Sequence, residues 1–295
     1  MKIKQILLML FFWAVGFHTV AQGDYPGSQA YNKTHLSHDS VNAATGTFDY
    51  SYPLISVKGR LSTFQLHLSY RFNKDGMFSL PSGWQLDLDF IKEKSVYLHG
   101  QNWLIDRLWR DETDFGSGLR YYNLHGTKFS DDGEAREVPN HKGVFYRYRA
   151  NHKDGSIKYF SHQGLIVIEK DRFGNFIQFD YEEPISSLRT ARLKTLTDNY
   201  GNQYRFDYVP GGFNLTTPDN KKIHVYFNKN GVEAIANALG QRTEFKYVNF
   251  AGRNLLRTIE TPKGLITQIS YDTISYSDGN GKKQMPVVAL LEKMD

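Results

Sequence analysis

A four-residue unit recurs along this 295-residue chain: a polar turn-former, two variable positions, then glycine. Asp171-Arg172-Phe173-Gly174 and Asp198-Asn199-Tyr200-Gly201 are the clearest copies. Asn237-Ala238-Leu239-Gly240, Thr261-Pro262-Lys263-Gly264, Asn140-His141-Lys142-Gly143 and Ser161-His162-Gln163-Gly164 fit the same mould, and Asp219-Asn220-Lys221-Lys222 keeps the start without the glycine. A polar capper at the first position and glycine at the fourth predict a type I turn, and Pro262 stands where such a turn favours proline. A glycine with positive φ then lets the next strand leave through a bulge. The repeat therefore specifies β-hairpins in series.

The rhythm extends over the second half. Turn glycines at 143, 155, 164 and 174, a longer loop at Pro184, then 201, 212, the degenerate Lys222, 231, 240, 252 and 264 place a turn every ~8–12 residues, the spacing of an all-β chain. Counting from the turn glycine, positions three, five and seven are mostly apolar and those between them polar: Ile177, Phe179 and Tyr181; Tyr204, Phe206 and Tyr208; Thr243, Phe245 and Tyr247; Thr267, Ile269 and Tyr271. Each such strand is expected to bury one row and wet the other. In the strands entering the turns, Leu193 and Leu196, Val232 and Ile235, and Leu256 and Ile259 are three apart, which predicts a bulge that switches faces. One hairpin cannot bury such a face alone, whereas a stacked series can. The expectation is a continuous curved antiparallel sheet with an aromatic inner face.

Upstream, Phe48, Tyr50 and Tyr52 alternate with polar residues, as do Phe64, Leu66, Leu68 and Tyr70, and then Trp84, Leu86, Leu88 and Phe90. Residues 99 to 135 carry no clear pattern. Residues 1–21 read as a secretory signal peptide: basic Lys2 and Lys4, apolar Ile6 to Phe17, and Thr19-Val20-Ala21 before Gln22. That apolar stretch falls short of the ~20 residues of a spanning helix, and no later segment approaches it. Residues 22–43 read as a flexible lead-in. The chain has 0 cysteines, so neither disulfides nor lipidation of a cysteine can serve it. The expected location is periplasm, cell surface or medium. A net charge of +5, reduced once Lys2 and Lys4 leave, is too small to point to nucleic acid or membrane lipid. The 19 Tyr and 20 Phe suit a strand-rich protein.

The hairpin units resemble the YD repeats of the RHS family, named for a Tyr-Asp pair. The strand ends read Asp180-Tyr181 and Asp207-Tyr208, with Tyr271-Asp272 in the family's order. Lys153-Asp154-Gly155-Ser156 through Asp171-Arg172-Phe173-Gly174-Asn175 looks like the entry into the repeats. The ordered series Thr45-Gly46-Thr47-Phe48, Pro53-Leu54, Gly59, Leu66-His67-Leu68-Ser69-Tyr70 and Gly83-Trp84-Gln85-Leu86 resembles the N-terminal region of the B component of insecticidal toxin complexes and the related Salmonella plasmid virulence B protein. The resemblance divides the chain into an N-terminal β region over 44–135 and hairpin repeats over 136–295. It implies a non-enzymatic hollow shell, a cocoon of strands holding a C-terminal toxin polypeptide. The family's self-cleaving aspartates have no counterpart here. Implied partners are a toxin or effector polypeptide or other shell subunits.

His35-Leu36-Ser37-His38-Asp39 has two histidines at metal-ligand spacing but no matching further ligands. Asp87 and Asp89 share a strand face and could do acid–base work, but alternation places them on a solvated face. Asp131-Asp132-Gly133-Glu134 and Asp278-Gly279-Asn280-Gly281 lack the spacing of a calcium loop and read as turns. No nucleophile elbow or phosphate loop is present. The expectation is no catalytic residue, no cofactor and no metal. The residues that matter are then structural: the turn positions Gly143, Gly155, Gly164, Asp171, Gly174, Asp198, Gly201, Gly240 and Gly264. The alternative is a cell-surface, adhesin-like module that binds glycan or protein. An outer-membrane barrel does not fit, because the strands read as shorter than the ~9–11 residues that span a bilayer. Asp295 stands where a further turn would open, so the array is expected to continue past it.

Overall fold

The computed structural model describes residues 39–42, 46–58, 63–72, 75–92, 95–98, 101–104, 109–111, 119–124, 127–278 and 281–294. The signal peptide, His35 to His38, and Gly279-Asn280 of the second calcium-like loop lie outside the described residues. No helix occurs among the described residues. The first of three sheets runs β1 (Asp39–Asn42), β2 (Thr47–Lys58), β3 (Thr63–Arg71) and β4 (Trp84–Leu86). The second is β5 (Phe90–Lys92), β6 (Ser95–Leu98) and β7 (Gln101–Leu104).

The third sheet has 16 strands in chain order. It opens with β8 (Trp109–Asp111), β9 (Leu119–Leu124), β10 (Thr127–Glu137), β11 (Phe145–His152), β12 (Ile157–Phe160), β13 (Ile166–Lys170), β14 (Phe176–Tyr181) and β15 (Leu193–Asp198). It continues with β16 (Gln203–Val209), β17 (Gly212–Thr216), β18 (Lys222–Asn228), β19 (Gly231–Ala236), β20 (Arg242–Phe250), β21 (Arg253–Glu260), β22 (Ile266–Asp278) and β23 (Gly281–Met294). Each strand pairs antiparallel with the next, and the sheet stays open between β8 and β23. It begins upstream of residue 136, and β1 begins inside the span read as a lead-in. Several strands are long: β2 has 12 residues, β22 has 13 and β23 has 14. The expectation of uniformly short strands fails there.

The turn chemistry follows from the motif. The Gly174 N–H donates to the Asp171 carbonyl (3.1 Å) and the Asp171 N–H to the Asn175 carbonyl (2.9 Å). The same pair of bonds closes the turns at His152–Gly155, Ser161–Gly164, Asp198–Gly201, Asn237–Gly240 and Thr261–Gly264. The fourth residue has positive φ throughout, from 76° at Gly240 to 89° at Gly174. Two copies depart from the sequence reading. The copy without glycine is Thr217-Pro218-Asp219-Asn220, shifted two residues upstream of the expected start, with Asn220 at φ 59° in the glycine's place. Around Gly143, the His141 N–H donates to Val138 and the Val144 N–H to His141. Asn140 (φ 68°) and Gly143 (φ 80°) are each the third residue of a separate turn, so Gly143 is not the fourth position of the repeated motif.

The three-residue spacings are bulges. Tyr181 pairs with Leu193 and Asp180 with Thr195, leaving Lys194 as the extra residue. Registers slip in the same way at Val167, Glu233, Arg257 and Ala289. An extra residue bends its strand and increases local twist. Five at corresponding places curve the sheet. Leu193 and Leu196 thereby both reach the core, exposed by 0% and 1%.

The concave side is filled. A single apolar cluster joins Phe48, Leu66, Leu68, Trp84 and Leu86 of the first sheet to Phe179, Phe206, Val225, Phe245 and Ile269 of the third. The hollow interior implied by the resemblance is, over these residues, occupied by the first sheet. The convex side is not uniformly wet either: Val138, Tyr146, Tyr159 and Ile168 form a second small core there.

Gly164 marks a close approach. The Ile91 N–H donates to the Gly164 carbonyl (2.8 Å), and Phe90 bridges Leu165. A Cβ on Gly164 would lie 2.1 Å from the Ile91 carbonyl oxygen, whereas nothing lies within 4 Å of one on Gly240. Gly240→Ala is expected to cost about 1–2 kcal/mol, the price of left-handed backbone alone. Gly164→Ala must also displace Ile91 and should cost more than about 3 kcal/mol. Urea midpoints of the two variants measure the difference, and equal losses would contradict this packing.

Candidate functional site

The first sheet enters the concavity through strands whose alternation the sequence already carries. On β2, Tyr50 meets Phe245 at 5.5 Å between ring centroids. On β3, Phe64 meets Phe179 at 5.6 Å. Just beyond β3, Phe72 meets Tyr271 at 5.7 Å. Trp84, fully buried, stands edge-on to Phe245 (5.0 Å) and Tyr70 (5.6 Å). The polar tips of Trp84, Tyr70 and Tyr247 are paired. Trp84 Nε1–H donates to the Tyr247 hydroxyl (2.8 Å), which donates to the Val232 carbonyl (2.7 Å). The Leu256 N–H donates to the Tyr70 hydroxyl (3.2 Å).

The tyrosines at the seventh position after the turn glycine share one task. Tyr181, Tyr247 and Tyr271 each donate to the carbonyl 15 residues upstream, at Ile166, Val232 and Leu256. Each acceptor directly precedes the extra residue of a bulge. The phenol thus satisfies a carbonyl next to the irregular point of the ladder. Tyr208 faces Leu193 from the same position, close enough to feel its carbonyl but outside hydrogen-bond geometry.

Burial raises the pKa of these phenols: Tyr70 is pushed up to about 12, and Tyr181, Tyr208, Tyr247 and Tyr271 are also raised. A phenol whose pKa rises on folding stabilises fully below its unfolded value of about 10, and that contribution is lost as pH climbs through the folded value. The protein is therefore expected to unfold in base above about pH 10, with tyrosinate absorbance rising together with loss of near-ultraviolet circular dichroism. Full tyrosine titration with native dichroism retained would contradict the burial.

The densest buried charge lies where the segment between β4 and β5 meets the third sheet. Lys158 on β12 is 4% exposed and Asp89, between β4 and β5, is 9% exposed. Their side chains are in direct ion-pair contact, and Glu169 on β13 lies 3.5 Å from the Lys158 Nζ. Burial pushes the Lys158 pKa down, but the charges of Asp89 and Glu169 outweigh it and hold the ammonium above its ordinary range. The solvated-face reading of Asp89 is thus wrong. The alternation of burial runs from Trp84 to Leu88, past the end of β4, and then breaks: Asp89 and Phe90 are both buried. Asp87 remains near the surface, 3.5 Å from Arg71.

A further polar chain crosses β2 and β3. Ser51 Oγ lies 2.7 Å from His67 Nδ1, and His67 Nε2 lies 3.3 Å from Gln65 Oε1. Ser69 Oγ donates on to Ser51 (3.5 Å). A serine beside a base is the start of a nucleophile. Here it is a cross-strand pair on the face opposite Tyr50 and Leu68, flanked by polar side chains. The Asp131-Asp132-Gly133-Glu134 segment lies in an insertion within β10, opposite Arg147 of β11, and the Gly133 N–H turns back to donate to Asp131 Oδ1 (2.9 Å). Asp131 accepts two bonds from Arg147 (2.9 and 3.0 Å), and Asp132 accepts from the Tyr146 hydroxyl (2.9 Å). No cluster suited to a metal occurs among the described residues.

The predicted turn residues are placed as caps. Asp171 Oδ1 accepts from the N–H groups of Phe173 (2.8 Å) and Asn175 (2.9 Å), while Oδ2 accepts from Asn175 Nδ2 (2.6 Å). Asp198 holds Tyr200 and Asn202 in the same way. Burial, the largest single influence on the Asp171 carboxyl, raises its pKa, but these donors together outweigh it and leave it lowered. Asn175 and Asn202, at the fifth position, were legible as part of the motif but were not singled out. Gly155, Gly164, Gly174, Gly201, Gly240 and Gly264 serve their turns one by one and are not gathered into a site.

These elements define a class: an open, bulged all-β hairpin sheet wrapped on an N-terminal sheet. No protein-family model and no curated protein sequence matches the chain. Among solved structures it is similar to a TcdB2-TccC3 complex, at 10% identity and TM-score 0.40, over 81% of this chain and 17% of that one. It is also similar to a TcdB2-TccC3-Cdc42 complex, at 10% identity and TM-score 0.41, over 80% and 16%. A third match is a Tc holotoxin pore of Photorhabdus luminescens, at 9% identity and TM-score 0.41, over 88% and 19%. The chain spans less than a fifth of the length of each of these chains.

Proposed function

We propose that this chain is a non-enzymatic, exported scaffold: a wall segment of an RHS/YD-type shell related to those of toxin complexes. The observation that carries the reading is the use of the repeat. Turn aspartates cap backbone, seventh-position tyrosines serve bulge carbonyls, and the aromatic rows pack on the first sheet. The ordered N-terminal motifs and the turn series supply the family resemblance. With its concavity filled here, this segment would contribute rigidity, and an enclosed toxin or effector polypeptide would be held by other parts of the shell.

The test is to purify the tagged protein from its native cells and treat it with protease. The expected result is an exported chain that lacks residues 1–21 and copurifies with a polypeptide protected until the shell is unfolded. A second reading is a surface binding module. Phe173, Tyr200 and Leu239, exposed by 56%, 63% and 80%, favour it, because all three sit at the third position of turns at one end of the sheet. Reproducible binding to a glycan array, lost in a Phe173→Ser/Tyr200→Ser variant, with no protected polypeptide, would replace the first reading with the second.

A further inference from the structure

We propose that Lys158 and Asp89 become joined by an intramolecular amide bond, formed by the protein itself with Glu169 as the proton carrier. Three observations meet at this point. Lys158 Nζ is in direct contact with Asp89 Oδ2, so amine and carboxyl group are brought together from positions 69 apart in sequence. Both side chains are almost fully removed from water, exposed by 5% and 10%. A second carboxylate, Glu169, lies 3.5 Å from the same nitrogen.

The reaction balances without any other reactant. Glu169 carries one proton from the Lys158 ammonium to the Asp89 carboxylate, leaving a neutral amine beside a neutral carboxylic acid. The amine attacks Asp89 Cγ, and a C–N bond forms as the carbonyl opens to a tetrahedral intermediate. Glu169 then relays a second proton from the nitrogen to the departing hydroxyl. The C–O bond breaks, and one water leaves. An ammonium and a carboxylate become a neutral amide, and Glu169 ends as it began.

Two physical effects favour this direction. Holding both groups in contact raises their effective concentration to about 10⁵–10⁸ M in well-oriented cases. A buried ion pair also carries a desolvation penalty that a neutral amide does not. The link would fasten the segment between β4 and β5 to the repeat sheet, in a chain with 0 cysteines to do so by disulfide.

Intact mass spectrometry of the folded, full-length protein tests this. The expected mass is lower than that of its residues by one water, and a protease digest should contain a branched peptide joining the segments around Asp89 and Lys158. Lys158→Arg, which keeps the charge, should restore the full mass, and Glu169→Gln should slow formation at least tenfold. A wild-type mass equal to the sum of its residues after prolonged incubation in the folded state overturns the proposal, whatever the variants do.

Discussion

Trp84→Ala is expected to lower the unfolding free energy by about 3–5 kcal/mol, the range for deleting a large buried aromatic. Trp84 is 0% exposed and lies between Tyr50, Tyr70 and Phe245. Its loss would leave a void between two sheets that meet through this ring, and would remove the donor to Tyr247. Trp84→Phe should cost less, because most of the contact survives. Urea denaturation followed by far-ultraviolet circular dichroism measures both. A Trp84→Ala loss under about 1 kcal/mol would mean that the ring is not central to the core.

Lys158→Met should cost about 3–5 kcal/mol from the ion pair alone, because it strands the Asp89 carboxylate in the interior. Adding Asp89→Leu should recover most of the part that comes from the stranded charge, since a pair of apolar residues avoids the desolvation penalty, but none of what a covalent link contributes. The double-mutant cycle separates this from simple loss of side-chain contact. Two single variants whose losses merely add would show that the charges do not depend on one another.

The hairpin series was legible because its signals are local. Asp171, Gly174 and their equivalents fix turns within five residues, and the rows at Ile177, Phe179 and Tyr181 follow from the two-residue period of a strand. Even the bulges could be read, from Leu193 and Leu196 standing three apart. What escaped was set by long-range contact. Asp89 reads as one more polar position in an alternating strand, and only the arrival of Lys158 from another sheet makes it a core residue. The filling of the concavity also escaped, because alternation gives a strand an apolar face without naming what covers it. The Gly143 and Asp219 turns were misplaced for a local reason: Pro139 and Pro218 pre-set φ for turns starting one residue earlier, at Val138 and Thr217.

The central claim is that the first sheet and the hairpin array form one cooperative core. Native-state hydrogen exchange of the Thr63–Arg71 and Arg253–Glu260 amides, followed against urea concentration, tests it most directly. A shared core predicts that both strands exchange only through the same global opening, with equal free energy and equal urea dependence. Rapid exchange of Thr63–Arg71 while Arg253–Glu260 stays protected would contradict the account, since the two sheets would then be opening independently.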